Sequence, residues 1–313
     1  MKEYQLNYYS KFKCIGKDCK HTCCAGWEMN IDSETLDEYI SLQSDYKKRL
    51  LDGINVKKSK FKVKKEGRCA FLNDEGLCDI IINLGSDHLC QVCRDHPRFR
   101  SFFDGIVETG LGFCCEEVAR IILSSKEKIE PVLVSDDGKD EDFDFNQKNV
   151  LEFRNKTLSV IQDRNQSIKD RVRTLLEICR FDFNSKKLNN VVKTYLKFQR
   201  VDKNWTTRLK NIAKKPFIIE IDEKYSLILE QFLVNGIYRH HSDAEDTISV
   251  RARTIAVVLS WWLILNIIEN EKVNENDEFA LIVDVVRAFS VEVEYSNYNL
   301  EKLFDFAYTL IKI

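Results

Sequence analysis

The sequence predicts a mainly α protein in two parts: a Cys-rich lobe of short β-hairpins and helices over residues 1–134, then an all-α helical domain over residues 135–313. Three observations carry this. Ten of the eleven cysteines lie from Cys14 to Cys115, most of the glycines share that segment, and beyond Gln147 apolar residues recur at helical spacing with few helix breakers. With 313 residues, 44% of them hydrophobic, the chain can bury one large core or two ordinary ones.

The opening stretch, MKEYQLNYYSKFKC, has no apolar run of the kind a secretory signal needs, so a cytoplasmic protein with reduced thiols is expected. Asp32 or Ser33 can cap a helix running to about Leu51, with Leu36, Tyr39, Ile40 and Leu50 at helical spacing. Arg68 to Ile80, RCAFLNDEGLCDI, reads as a hairpin around Asn73, Asp74 and Gly76 that sets Cys69 and Cys78 opposite each other near its open end. A second hairpin is expected around Asp104-Gly105, within Phe99 to Gly112. After Glu130-Pro131 the acidic run SDDGKDEDFDF reads as an exposed connection and marks the domain boundary.

Six to eight helices should follow. Their apolar faces include Leu151, Leu158 and Ile161; Val172, Leu175, Leu176 and Cys179; and Val191, Val192, Tyr195 and Leu196. Pro216 interrupts the series, and the later helices are expected at about Glu223–His240, Asp246–Glu269, Asp277–Glu292 and Asn299–Ile311. The longest apolar stretch, Ile255 to Ile268, contains Ser260 and Asn266 and follows Arg251 and Arg253, which suits a buried core helix better than a membrane span.

The charge balance, 48 Lys+Arg against 50 Asp+Glu, gives no broad attraction to nucleic acid or to an anionic membrane, so any partner must be recognised locally. Crowded reduced thiols point to a soft metal: zinc or an iron–sulfur cluster. Only Cys90-Gln-Val-Cys93 has the two-residue gap of a zinc finger, and Cys19-Lys-His-Thr-Cys23 begins a radical-type triad but has Gly26 at the third position. Ligands distant in sequence can still converge on one site.

Several motifs together resemble the flagellin lysine-N-methylase (FliB) family, within a broader group carrying a zinc- or iron-chelating CxxCxxCC-type domain. They are Phe12-Lys-Cys14, Cys19-Lys-His-Thr-Cys23-Cys24-Ala-Gly26-Trp27, Cys69 to Cys78, Leu84-Gly85, Leu89-Cys90, Cys93-Arg94-Asp-His-Pro97-Arg98 and Cys115-Glu-Glu-Val118-Ala119-Arg120. Leu229 to Asn235 and Glu294-Tyr295-Ser296 extend the likeness toward the C-terminus. The chain departs in two places: Glu116 stands where the family commonly has proline, and four residues rather than two separate Cys14 from Cys19.

The resemblance implies S-adenosylmethionine-dependent N-methylation of flagellin lysines, with flagellin as the protein partner and a 4Fe-4S iron-sulfur cluster, or zinc as the alternative, held by the cysteines. The ligand candidates are then Cys14, Cys19, Cys23, Cys24, Cys69, Cys78, Cys90, Cys93 and Cys115, with Cys114 and Cys179 as core thiols. His96 and His21 are weighed as ligands or donors to a ligand against exposed loop histidines, and Trp27 as a metal shield against a core residue. Asn235, Tyr238, Arg239, His240 and His241 could line a substrate cleft, although a solvated helix end is the stronger expectation. Glu108-Thr-Gly110-Leu-Gly112 is read as the end of the second hairpin rather than as a cofactor loop. The competing functions are a non-catalytic, zinc-stabilised protein-interaction module and an iron–sulfur redox protein.

Overall fold

The computed structural model describes residues 1–26, 29–65, 67–139 and 143–312. They form thirteen α-helices and two small sheets, so the architecture is mainly α. The chain divides into two compact units, Lys13–Arg98 and Met1–Phe12 with Phe99–Ile313.

The division differs from the one expected at residue 134, and hydrogen bonding gives the reason. The N-terminal strand Lys2–Leu6 pairs in parallel with Ile106–Leu111 and antiparallel with Pro131–Asp136. The four-stranded order is therefore Arg98–Phe103, Ile106–Leu111, Lys2–Leu6, Pro131–Asp136. A strand in the middle of a sheet has both edges satisfied, so these first residues cannot be separated from the segment that begins at Phe99. The expected Asp104-Gly105 hairpin is present, with Gly105 at φ +81°, a backbone region open to glycine without cost.

In the smaller unit Asp32 caps the helix Ser33–Ser41 by accepting from the Thr35 N–H at 2.9 Å. The long helix expected to run on to Leu51 is two helices, the second Lys47–Asp52. Ser44 explains the break, because its hydroxyl accepts from the Tyr46 N–H and offers the backbone an alternative to helix. Leu36, Tyr39 and Leu50 are buried as expected, whereas Ile40 is exposed. Phe61 and Phe71 meet edge-on at 5.2 Å in a core that also holds Met29, Ile31, Ile54, Leu72 and Ile80. Each such side chain contributes about 1.5–3 kcal/mol on burial.

In the larger unit eight α-helices follow from Phe145, as the periodicity predicts. At their centre is Thr247–Glu271, whose side chains from Val250 to Ile268 are buried on nearly every side. Asp246 and Ser249 form a capping box at its start. By length and composition this helix could cross a membrane, with a mean hydropathy of 1.6 over its best window, but 78% of that window is buried inside the protein. It is the core helix of the unit. Helices Phe145–Ile161, Lys203–Ile212, Ser226–His240, Glu275–Phe289 and Asn297–Tyr308 all contact it.

Candidate functional site

Eight of the nine ligand candidates fall in the smaller unit, and its loops place five of them around one core. Cys69 donates its backbone N–H to the Cys24 carbonyl at 2.7 Å, which sets these residues on adjoining segments. Cys78 is the N-cap residue of the helix Asp79–Leu84, and Cys90 is that of the helix Gln91–Asp95. Cys93 lies one turn on, its N–H bonded to the Cys90 carbonyl at 2.9 Å. Cys69 and Cys90 are core residues, and Cys24, Cys78 and Cys93 pack against the same core.

The expected hairpin pairing of Cys69 with Cys78 is corrected by this geometry. Cys78 is bridged to Leu72, and Cys69 to Val63. The Asn73 side chain accepts from the Glu75 and Leu77 N–H groups at 3.0 and 2.8 Å, so the loop closes more tightly than a regular hairpin and shifts the register. The two thiols still sense one another's charge.

Electrostatics describe the same convergence. Burial pushes Cys69 up to about 11, with further raising by Cys24, Cys78 and Cys90. Burial also raises Cys78, helped by Cys24. A hydrogen bond between Cys90 and Cys93 lowers the first and raises the second, so the pair shares a single thiolate more readily than it forms two. A hydrogen bond from Cys23 brings Cys24 down to about 7 against the opposing effect of burial. Thiols that resist joint ionisation in this way have the chemistry a soft cation would reverse, since ligation requires the thiolate. Thiols are the donor chemistry such a metal takes, but among the described residues no three His, Cys, Asp or Glu side chains are gathered into a group that could hold a metal ion.

All eleven cysteines are outside disulfides. Cys14 and Cys23 are exposed and Cys19 is half-buried. Cys115, the ninth candidate, is in the larger unit, where it is the N-cap residue of the helix Glu116–Leu123. Cys114 and Cys179 are buried there, as expected of core thiols, and burial raises both to about 12. His21 is exposed. His96 is half-buried rather than exposed, and burial lowers it to about 4, leaving a neutral ring at pH 7. Trp27 lies outside the described residues.

The polar run from Asn235 to His241 is not a solvated helix end. Asn235, Tyr238, His240 and His241 are all buried. The Tyr8 hydroxyl donates to Asn235 Oδ1, and Asn235 Nδ2 donates to the Leu111 carbonyl at 3.3 Å, tying helix to sheet. Arg239 lies over the rings of Phe99 and Tyr295, 5.6 and 4.7 Å from their centroids. Glu294, at the end of the π-helical segment Ser290–Glu294, is bonded to Ser290 and pairs with His240 at 3.2 Å and Arg239 at 3.6 Å. Burial pushes its carboxyl up, but Arg239 and His240 outweigh that and hold it at about 2. A cavity of about 10 Å³ beside His240, Glu294, Phe113 and Phe304 has room for one water-sized group.

The motif from Leu229 to Asn235 is buried and held by contacts of this kind. Glu230 is bound by Arg164 and Arg171, and Gln231 donates to the carbonyls of Ser125 and Glu127. The Gly110 region packs as well: a Cβ there would lie 2.4 Å from the Phe99 ring and 2.9 Å from the Tyr8 hydroxyl, so this glycine admits side chains rather than a cofactor. Sequence reading missed Tyr8 and the buried Glu108–Arg154 pair, whose partners are distant in the chain. Alternation in KEYQL was the one available signal for the strand that leads into Tyr8.

These features define a mainly helical protein with a separate thiol-rich unit. Among known proteins, the chain is similar to the lysine-N-methylases of Salmonella typhimurium strain LT2 and Salmonella choleraesuis strain SC-B67, each 26% identical over 125 residues. Those matches cover 37% of this chain and 31% of either relative, so the chain spans about a third of the length of the curated lysine-N-methylases it matches. It is also similar to the flagellar biosynthetic protein FliU of Salmonella muenchen, 28% identical over 126 residues, covering 37% of this chain and 74% of that protein. These relatives bear out the resemblance to the flagellin lysine-N-methylase family over 37% of the chain and do not test the chelating domain. No protein-family profile matches the chain, and no solved structure does.

Proposed function

We propose that the protein is a cytoplasmic, S-adenosylmethionine-dependent methyltransferase that N-methylates lysine side chains of flagellin. The observation that carries this reading is the similarity to proteins named lysine-N-methylase. The convergence of Cys24, Cys69, Cys78, Cys90 and Cys93 supports the accompanying proposal that the smaller unit holds an iron–sulfur cluster of the 4Fe-4S type. Methyl transfer to an amine is a displacement at the sulfonium methyl: it needs a neutral amine, a near-linear approach and exclusion of water, and it needs no radical. A bound cluster would organise the loops around its thiolates or hold the amino and carboxylate groups of S-adenosylmethionine at an open iron.

The burial of Cys69 and Cys90 in the core favours a second reading, a closed structural zinc in a protein-interaction module. Metal analysis separates the two: brown protein with iron and sulfide supports the cluster, and colourless protein with stoichiometric zinc supports the module. For the activity, anaerobically purified protein is incubated with labelled S-adenosylmethionine and the flagellin of the same cell. Methyl-lysine detected by mass spectrometry is the expected result, and no transfer by protein that retains its metal overturns the proposal.

A further inference from the structure

The helix Gln91–Asp95, which begins after Cys90 and carries Cys93, has five residues, too few to hold itself together by helix propagation. Cys90 stands at its N-cap position but makes no side-chain cap bond. The cap comes from a residue 59 positions away: the Gln91 N–H donates to Asp32 Oδ2 at 2.7 Å. The other oxygen of that carboxylate accepts from the Thr35 N–H at 2.9 Å, at the start of the helix Ser33–Ser41. One carboxylate therefore caps two helices. Two further contacts grip the same turn: Cys90 Sγ donates to the Asn30 carbonyl at 3.7 Å, and the Tyr39 hydroxyl donates to the His88 carbonyl at 2.6 Å.

Resting on the reading that the smaller unit holds a metal through its thiols, we propose that Asp32 is a positioning residue for the Cys90–Cys93 pair. Its carboxylate locks the turn to the Ser33–Ser41 helix so that both sulfurs face the core shared with Cys69. The role requires an acceptor with two oxygens bearing negative charge, because each N–H then gains a charge-assisted bond at a helix N-terminus. Asparagine offers one oxygen and no charge, and alanine offers neither.

The test uses the full-length chain with Asp32→Ala and Asp32→Asn, and with Leu36→Ala as a variant that thins the same core without touching the turn. In reduced, metal-free protein, iodoacetamide labelling of each cysteine is followed by mass spectrometry. Asp32→Ala should speed labelling of Cys90 and Cys93 about tenfold, the scale of a lost cap, with Asp32→Asn between it and wild type. Labelling of Cys69 and Cys78 should stay at the wild-type rate. In protein loaded with zinc, or with iron and sulfide, Asp32→Ala should lose metal to EDTA about ten to a hundred times faster than wild type. Unchanged labelling of Cys90, or faster labelling of all four thiols as expected for Leu36→Ala, overturns the proposal. A wild-type chain that takes up neither metal overturns the metal reading, and the labelling still decides what Asp32 does.

Discussion

Replacing Glu230 with glutamine removes a charge from the interior while keeping its shape. Glu230 is fully buried, with Arg164 Nη2 at 2.7 Å on one oxygen and Arg171 Nη1 at 2.6 Å on the other. The two arginines would respond differently. Arg164 is 33% exposed and can turn its head to water, whereas Arg171 is 3% exposed, with its head bound to the Ile161 carbonyl and the Ser226 hydroxyl. Glu230→Gln therefore leaves one buried guanidinium without a counter-charge, which costs about 3–5 kcal/mol. For a unit of this size that lowers Tm by about 6–20 °C. Thermal unfolding at pH 7 followed by circular dichroism measures it. Removing both charges, in Glu230→Met with Arg171→Met, should restore much of the loss, since a paired apolar replacement leaves no orphan. A Tm within about 2 °C of wild type for Glu230→Gln, or a double variant no better than the single one, would refute the assignment of this motif glutamate to the scaffold.

Other outcomes follow from the same structure. On the proposal that the smaller unit holds a metal, Cys69→Ser or Cys90→Ser should reduce the metal content to below about a tenth of wild type and Cys179→Ala in the larger unit should leave it unchanged, as measured by elemental analysis. Gly110→Ala forces a methyl into the Phe99 ring and the Tyr8 hydroxyl, and the urea midpoint should fall by the equivalent of about 1–3 kcal/mol. Burial holds the His241 pKa well below 6.5, so below about pH 6.5 the unfolded chain binds a proton that the folded chain refuses. Stability should therefore fall as pH drops from 7 to 5, with a contribution of up to about 1.4 kcal/mol per pH unit from this one group. Urea unfolding across that range should show a shallower dependence in His241→Gln, and an identical slope would contradict the assignment.

The central helix was legible in the chain. Asp246 is a good cap and the residues from Ile255 to Ile268 are apolar apart from Ser260 and Asn266, so both the start and the buried character of Thr247–Glu271 follow from local chemistry. The end of Ser226–His240 was not legible. Asn235, His240 and His241 read as a wet helix end because polar side chains usually face water, but their partners Tyr8, Glu294 and Thr254 lie 227, 54 and 13 residues away. The first strand was missed for a similar reason: the residues Lys2–Leu6 are short and mixed in character, and they become a strand only because two distant segments pair with them.

The sequence by itself determined that thiols crowd one segment, that helices dominate beyond Gln147, and that the motifs resemble those of lysine-N-methylases, because these rest on which residues stand near one another in the chain. Only the tertiary structure decided which thiols share a core, that Cys78 opposes Leu72 instead of Cys69, and that the first twelve residues join the unit beginning at Phe99. Those outcomes depend on which buried N–H and carboxylate groups find partners across long loops. Most such groups find a partner, yet no local pattern states which residue supplies it.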